Sequence, residues 1–207
     1  MPSTKQNRRT LSTGDRVALI AMMAAGAALA VWAVVAAIGR IVEVLSEEPV
    51  DVLAEFVDTP AAAPIGVNGA EVDVALDSAV LSVPDLPAVS VGAIVIQQVL
   101  MAVAVLIVVA CLLLLARGVL RDSVFTRMNT ALVTTAGITA LVGAAAYPFF
   151  GNMAANGAFA AVSDSTFDSV VMTIDLGTLL ALAFVAALAS TVFTVGERLQ
   201  RETEGLV

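Results

Sequence analysis

The sequence predicts an all-α integral membrane fold: a four-transmembrane-helix bundle with a small extracytoplasmic α/β segment between the first two helices. Three observations predict it. The chain is 59% hydrophobic and only 14% charged over 207 residues, against about 45–50% and about 25% in soluble domains. It contains four apolar runs long enough to cross a bilayer, which takes about 20 helical residues. Its basic residues flank those runs in alternation of sides, with Arg40 alone breaking the pattern.

The first 16 residues form a basic tail carrying Lys5, Arg8, Arg9 and Arg16. The first helix is expected over 17–44. Its basic lead resembles a signal peptide, but such an apolar core covers only about 7–15 residues, so the run reads as a retained anchor. The second helix is expected over 91–116, the third over 131–150 and the fourth over 170–195. Helix is the required form, because an open sheet in lipid leaves backbone groups unpaired.

Orientation follows from the cations. Arg117, Arg121 and Arg127 lie in the connection 117–130, and Arg198 and Arg201 in the tail 196–207. The connections 45–90 and 151–169 contain neither Lys nor Arg. Basic connections stay in the cytoplasm, which places both termini there and predicts a multi-pass membrane protein. Acids take the other side, from Glu43 through Asp85 and again at Asp164 and Asp168. Such a face serves solubility and topology, or attracts a cation or a partner.

Segment 45–90 is too long for a turn. Ser46-Glu47-Glu48-Pro49 resembles a helix start with acids in the first turn, and Val50, Leu53, Ala54 and Val57 share one helical face. A short helix is therefore expected up to Thr59-Pro60, followed by a small-residue linker from Ala61 to Pro64. Val67-Asn68-Gly69-Ala70 is a turn signal. Val72, Val74 and Leu76 alternate with acids, which predicts a strand, and a second short strand is expected over 79–83. A lone hairpin is marginal in water, so this element must pack on something.

Polar groups in the spans are few. Arg40, Gln97, Gln98 and Asp175 are the candidate intramembrane polar contacts, all at a similar outer depth, where charges are usually paired or functional. Arg40 and Asp175 are expected to approach each other, with Glu43 competing for Arg40 one turn away. Gly26 with Ala30, and Gly137 with Ala140 and Ala144, place small residues where helices can come close. Cys111 reads as a small packing residue. With one Cys and no His, neither an intrachain disulfide nor a histidine acid–base pair is possible, and a zinc ligand set is lacking. No cofactor is expected. The net charge of −8 argues against direct nucleic-acid binding.

Two stretches stand out at the cytoplasmic face. Phe125, Thr126 and Asn129 precede the third helix, and Gly196, Leu199, Glu202, Gly205 and Leu206 space out the tail. On these residues the chain resembles the bacterial family called domain of unknown function 2975. The resemblance implies four helices with an outer segment after the first. Genes of that family often stand beside one for a small helix-turn-helix protein, so it also implies a membrane partner of a transcription regulator. It implies no catalytic residues. A structural reading stands beside it: Ser123 or Thr126 caps the following helix, and Glu197 pairs with Arg201 at i,i+4.

The functional expectation is a non-enzymatic membrane protein, surrounded by lipid, that docks or restrains another protein at its cytoplasmic face. Val124, Phe125, Thr126, Met128, Asn129, Leu199, Glu202, Gly205 and Leu206 are the candidate contact residues, because exposed apolar groups often mark partner sites. The alternatives are a small transporter or channel-like subunit using the outer polar groups, or an accessory subunit of a larger membrane complex.

Overall fold

The structure, a computed structural model, describes residues 12–46, 48–121, 123–167 and 174–204. Four long helices follow one another: α1 (Thr13–Ser46), α2 (Ala88–Leu120), α3 (Arg127–Val162) and α4 (Leu176–Glu204). All four are long and apolar enough to cross a membrane. Between α1 and α2 the chain forms two strands, β1 (Val50–Ala63) and β2 (Val72–Val83), paired antiparallel as a two-stranded sheet.

Local chemistry sets the helix ends. Ser12 and Asp15 cap α1 reciprocally: the Ser12 hydroxyl accepts the Asp15 N–H and the Asp15 carboxylate accepts the Ser12 N–H, each at 3.1 Å, which satisfies donors that a helix start leaves free. Thr126 caps α3 by accepting the Asn129 N–H at 3.2 Å, as the sequence predicts. Helix α3 ends where Asp164 and Ser165 adopt φ of 51° and 61°, a left-handed conformation that stops the ladder.

The helices run past the apolar spans. Helix α3 does not stop near residue 150. It continues through Pro148 to Val162, so much of the expected connection 151–169 is helical. Ala154, Ala155, Ala158 and Phe159 on this extension are buried, and that burial keeps it folded beyond the apolar run. Helix α4 starts later than expected and extends through most of the tail.

The expected short helix after Pro49 is strand β1. Val50, Leu53, Ala54 and Val57 fit a helical face, but Val50, Val52, Ala54 and Phe56 fit a period of two equally well, and pairing decides between them. Val50 lies opposite Val83 and Ala54 opposite Ala79; Val50, Val52 and Ala54 are buried, while Asp51, Leu53 and Glu55 are exposed. The Ala61–Ala63 linker belongs to the same strand, whose register shifts between Glu55 and Thr59. Residues 71–77 and 79–83 are not two strands but one, β2. The reversal lies where the sequence places it: a 3₁₀ turn at Val67–Gly69 with Asn68 at φ 60° and Gly69 at φ 77°. Glycine is suited to that left-handed position.

Helix α1 packs along α2, α2 along α3, and α3 along α4, and the hairpin rests on α3. The helices form an open serial array rather than a closed bundle, with no extended interface between α1 and α4 among the described residues. Glycines set the close approaches. A Cβ on Gly137 would lie 2.7 Å from the Ala186 Cβ on α4, and one on Gly143 would lie 3.1 Å from the Ala104 Cβ on α2. Gly137 therefore serves contact within the chain. Cys111 is buried in α2, as expected of a packing residue.

The main core sits at the hairpin end of the array. Val44, Val50, Val52, Ala54, Val83, Ala93, Ile94, Ala154, Ala155, Ala158 and Phe159 form it, flanked by Phe56 and Leu81. Phe56 meets Phe159 edge-on with centroids 5.2 Å apart, and Phe159 contacts Phe167 at 5.1 Å. The hairpin is stable because its apolar face lies on helix ends, the condition an isolated two-stranded sheet fails to meet.

Candidate binding cavity under the hairpin

The outer polar residues singled out in the sequence do not all behave alike. Arg40, on the last turns of α1, donates to the Glu43 carboxylate and to the Asp51 carbonyl of β1. The nearby acid therefore takes the arginine, and the expected approach of Arg40 and Asp175 does not occur. The serial array explains this, since α1 and α4 lie at its two edges. Asp175 precedes α4 and caps it, accepting from the Thr178 N–H at 3.1 Å and from the Thr178 hydroxyl. The hydroxyl first, and then the Thr178 backbone N–H, hold its carboxyl below the ordinary carboxylate value, because hydrogen bonds to a carboxylate favour its charged form.

Arg40, Gln97 and Gln98, in contrast, come together. They line one cavity of about 320 Å³ between the ends of α1, α2 and α3, covered by β1. Val52, Leu53 and Glu55 of β1 form its cover, Ile94 lies beside the glutamines, and Tyr147, Pro148, Gly151 and Asn152 of α3 form the far wall. Gln97 is 8% exposed, and its Nε2 donates to the Tyr147 carbonyl at 2.7 Å. A Cβ on Gly151 would lie 2.8 Å from that nitrogen, so glycine is what lets the amide reach α3. This bond orients Gln97 and ties α2 to the turn of α3 that holds Pro148. Gln98 and Glu55 line the cavity with no hydrogen-bond or ion-pair partner among the described residues. Glu55, Tyr147 and Asn152 are members that sequence reading misses. The sequence pattern puts Glu55 on a short helix and Asn152 in a connection, and only the strand and the extended α3 bring them to the same point.

The opposite end of the array is ordered by internal contacts. Asn129 is buried and its Nδ2 donates to the Ser123 and Val124 carbonyls at 2.7 and 2.8 Å. The Ser123 hydroxyl donates to the Gly118 carbonyl at 3.2 Å. Thr130 donates to Glu197 at 3.0 Å, and Glu197 pairs with Arg201 as the spacing predicts. Phe125 is not an exposed apolar group. It is half-buried, 5.6 Å from Phe193 between ring centroids, with its ring against Gly196, where any Cβ would strike it. Thr126 and Asn129 likewise serve the connection itself, and Val124 is half-buried.

Met128 and Leu199 are exposed, and Leu199 lines a shallow apolar groove with Phe125, Val195 and Gly196. Glu202 pairs with Arg198 at 3.0 Å. Gly205 and Leu206 lie outside the described residues. No group of three or more Cys, Asp or Glu side chains suited to a metal ion occurs among the described residues. No protein-family model, curated protein or solved structure matches this chain.

Proposed function

We infer that the chain is a non-enzymatic multi-pass protein of a bacterial plasma membrane, with both termini in the cytoplasm, that binds a small polar molecule in the cavity under its outward-facing hairpin. The observation that carries this reading is the convergence of Arg40, Glu55, Gln97, Gln98 and Asn152 on one half-enclosed space of about 320 Å³. Binding sites for small molecules are concave, with a few polar groups set in apolar walls. Here Ile94, Val52 and Phe159 supply the apolar part. The polar lining stops at the level of Gln97 and Tyr147, and α2 from Val99 to Leu115 is apolar throughout. Transport sites normally lie near the midplane, so binding at the outer level is favoured over conduction.

Thermal unfolding of the full chain in maltoside micelles, screened against small polar solutes, tests this. A solute present at about 100 times its Kd adds about 2.7 kcal/mol. At least one solute is expected to raise the Tm of the native chain and not that of Gln98→Trp, whose indole fills the cavity. Shifts that are equal in both proteins, or absent in both, would contradict the reading.

A second reading, a docking site for a cytoplasmic protein, rests on exposed Met128 and Leu199 beside the apolar groove. The family resemblance makes a helix-turn-helix regulator the partner to test. Met128→Ser with Leu199→Ser is the informative variant, because Phe125→Ala would also disturb internal packing. Loss of a co-purifying partner with normal membrane insertion supports docking; an unchanged set of partners removes it.

A further inference from the structure

The cavity under the hairpin combines opposite charges in a way that narrows its ligand, if it binds one as argued above. Arg40 supplies the positive wall. Its two hydrogen bonds, to Glu43 and to the Asp51 carbonyl, leave further guanidinium donors, since an arginine carries more N–H groups than two. Those bonds also fix the guanidinium against β1. Glu55 lines the same cavity from the same strand. Four strand positions separate it from Asp51, roughly 14 Å of backbone at about 3.4 Å per residue, and no ion pair joins Arg40 to Glu55 among the described residues. Glu55 has no ion-pair partner among the described residues, whereas Arg40 is already paired.

A simple anion suits this site poorly. It would meet a guanidinium that Glu43 has half satisfied, in the field of a hairpin bearing Asp51, Glu55, Glu71, Asp73 and Asp77 with no Lys or Arg. A simple cation would use Glu55 and leave the guanidinium donors unanswered. A molecule with an ammonium at one end and an anionic group at the other satisfies both walls. The Gln98 amide, which has no hydrogen-bond partner among the described residues, can donate to or accept from the polar atoms between. We propose that the cavity binds an ammonium-bearing phosphate zwitterion, its ammonium on Glu55 and its phosphate on Arg40. The same chemistry occurs in free zwitterions and in the headgroup of phosphatidylethanolamine, and the cavity's place at the end of the apolar spans admits either.

The test uses the full chain in maltoside micelles and four probes: phosphate, ethanolamine, phosphoethanolamine and, with the chain in phosphatidylglycerol nanodiscs, added phosphatidylethanolamine. Saturable binding is expected for phosphoethanolamine, for the lipid, or for both, at least tenfold tighter than for phosphate or ethanolamine. Response to the lipid alone assigns the headgroup, and response to the free compound assigns a soluble ligand. Glu55→Gln is expected to weaken binding about tenfold, and Glu71→Gln, which removes the same charge outside the cavity, to leave it unchanged. Equal weakening by both would reduce the effect to surface charge and overturn the proposal. Ethanolamine or phosphate binding as tightly as phosphoethanolamine would overturn the zwitterion while leaving a binding cavity in place. If no probe binds, the zwitterion is overturned, and the solute screen with Gln98→Trp separately decides whether the cavity binds anything.

Discussion

Asn129 shows how much one side chain can hold. Buried, with Nδ2 spanning the Ser123 and Val124 carbonyls, it closes the connection between α2 and α3. A Cβ on Gly118 would lie 2.8 Å from that nitrogen, so the fit is tight on both sides. Asn129→Asp replaces a donor with an acceptor facing two carbonyls and is expected to cost more than Asn129→Ala, which loses about 1–3 kcal/mol. Thermal unfolding in micelles orders the two variants. Asp175 is the corresponding group at the start of α4. Its carboxyl is held below the ordinary value by Thr178, so its contribution is present above the unfolded pKa and is lost as pH falls through the folded one. Protection factors over Leu176–Leu179, the intrinsic exchange rate at each pH divided by the observed one, are expected to fall in the native chain on acidification below about pH 4. In Asp175→Ala they should be low already at neutral pH and insensitive to that change. Asp175 stands out in the sequence as a polar exception and Asn129 as part of the stretch before the third helix, but their roles do not. Which carbonyl Asn129 reaches, and that Asp175 precedes rather than enters its helix, depend on where the chain turns.

At the scale of elements, the four helices were legible because lipid-length apolar runs and alternating basic connections are independent signals that agree. The hairpin was half legible. Residues 72–76 alternate cleanly, whereas residues 50–57 carry apolar groups that satisfy both a 3.6 and a 2.0 period, and only the partner strand resolves them. This gives a sharp test. Val52 is 4% exposed and Leu53 is 64% exposed. Val52→Asp should unfold the hairpin end, since an unpaired buried charge is costly, and Leu53→Asp should be tolerated. A helix over the same residues would bury Leu53 and reverse the order. Close packing of α2 and α3 at the same end rests on Gly157, where any Cβ would strike the Ser90 hydroxyl. Gly157→Ala is expected to cost about 1–3 kcal/mol through overpacking. Adding Ser90→Ala should recover part of that loss, because the two sites share one contact and their effects do not add. The cavity members Glu55 and Asn152 escaped the sequence for the same reason as the strand: both lie on elements whose extent is set by tertiary burial rather than by local pattern.

At the scale of the whole molecule, an open serial array with its main core under the hairpin makes that end the built part of the protein. The apolar faces of α1 and α4 remain for lipid, with Trp32 68% exposed on α1. The proposed orientation, hairpin end outside, rests on the charge distribution: basic residues lie toward the termini and in the α2–α3 connection and are absent from the hairpin. On this reading the cavity under the hairpin opens to the outer side of the membrane. The most direct measurement is labelling of Gln98→Cys in intact cells with a membrane-impermeant maleimide, in a Cys111→Ala background, with Ser78→Cys on the hairpin and Arg198→Cys on α4 as references. Gln98→Cys and Ser78→Cys are expected to react from outside, and Arg198→Cys only after the membrane is opened. Reaction of Arg198→Cys in intact cells, with Gln98→Cys and Ser78→Cys protected, would contradict this reading.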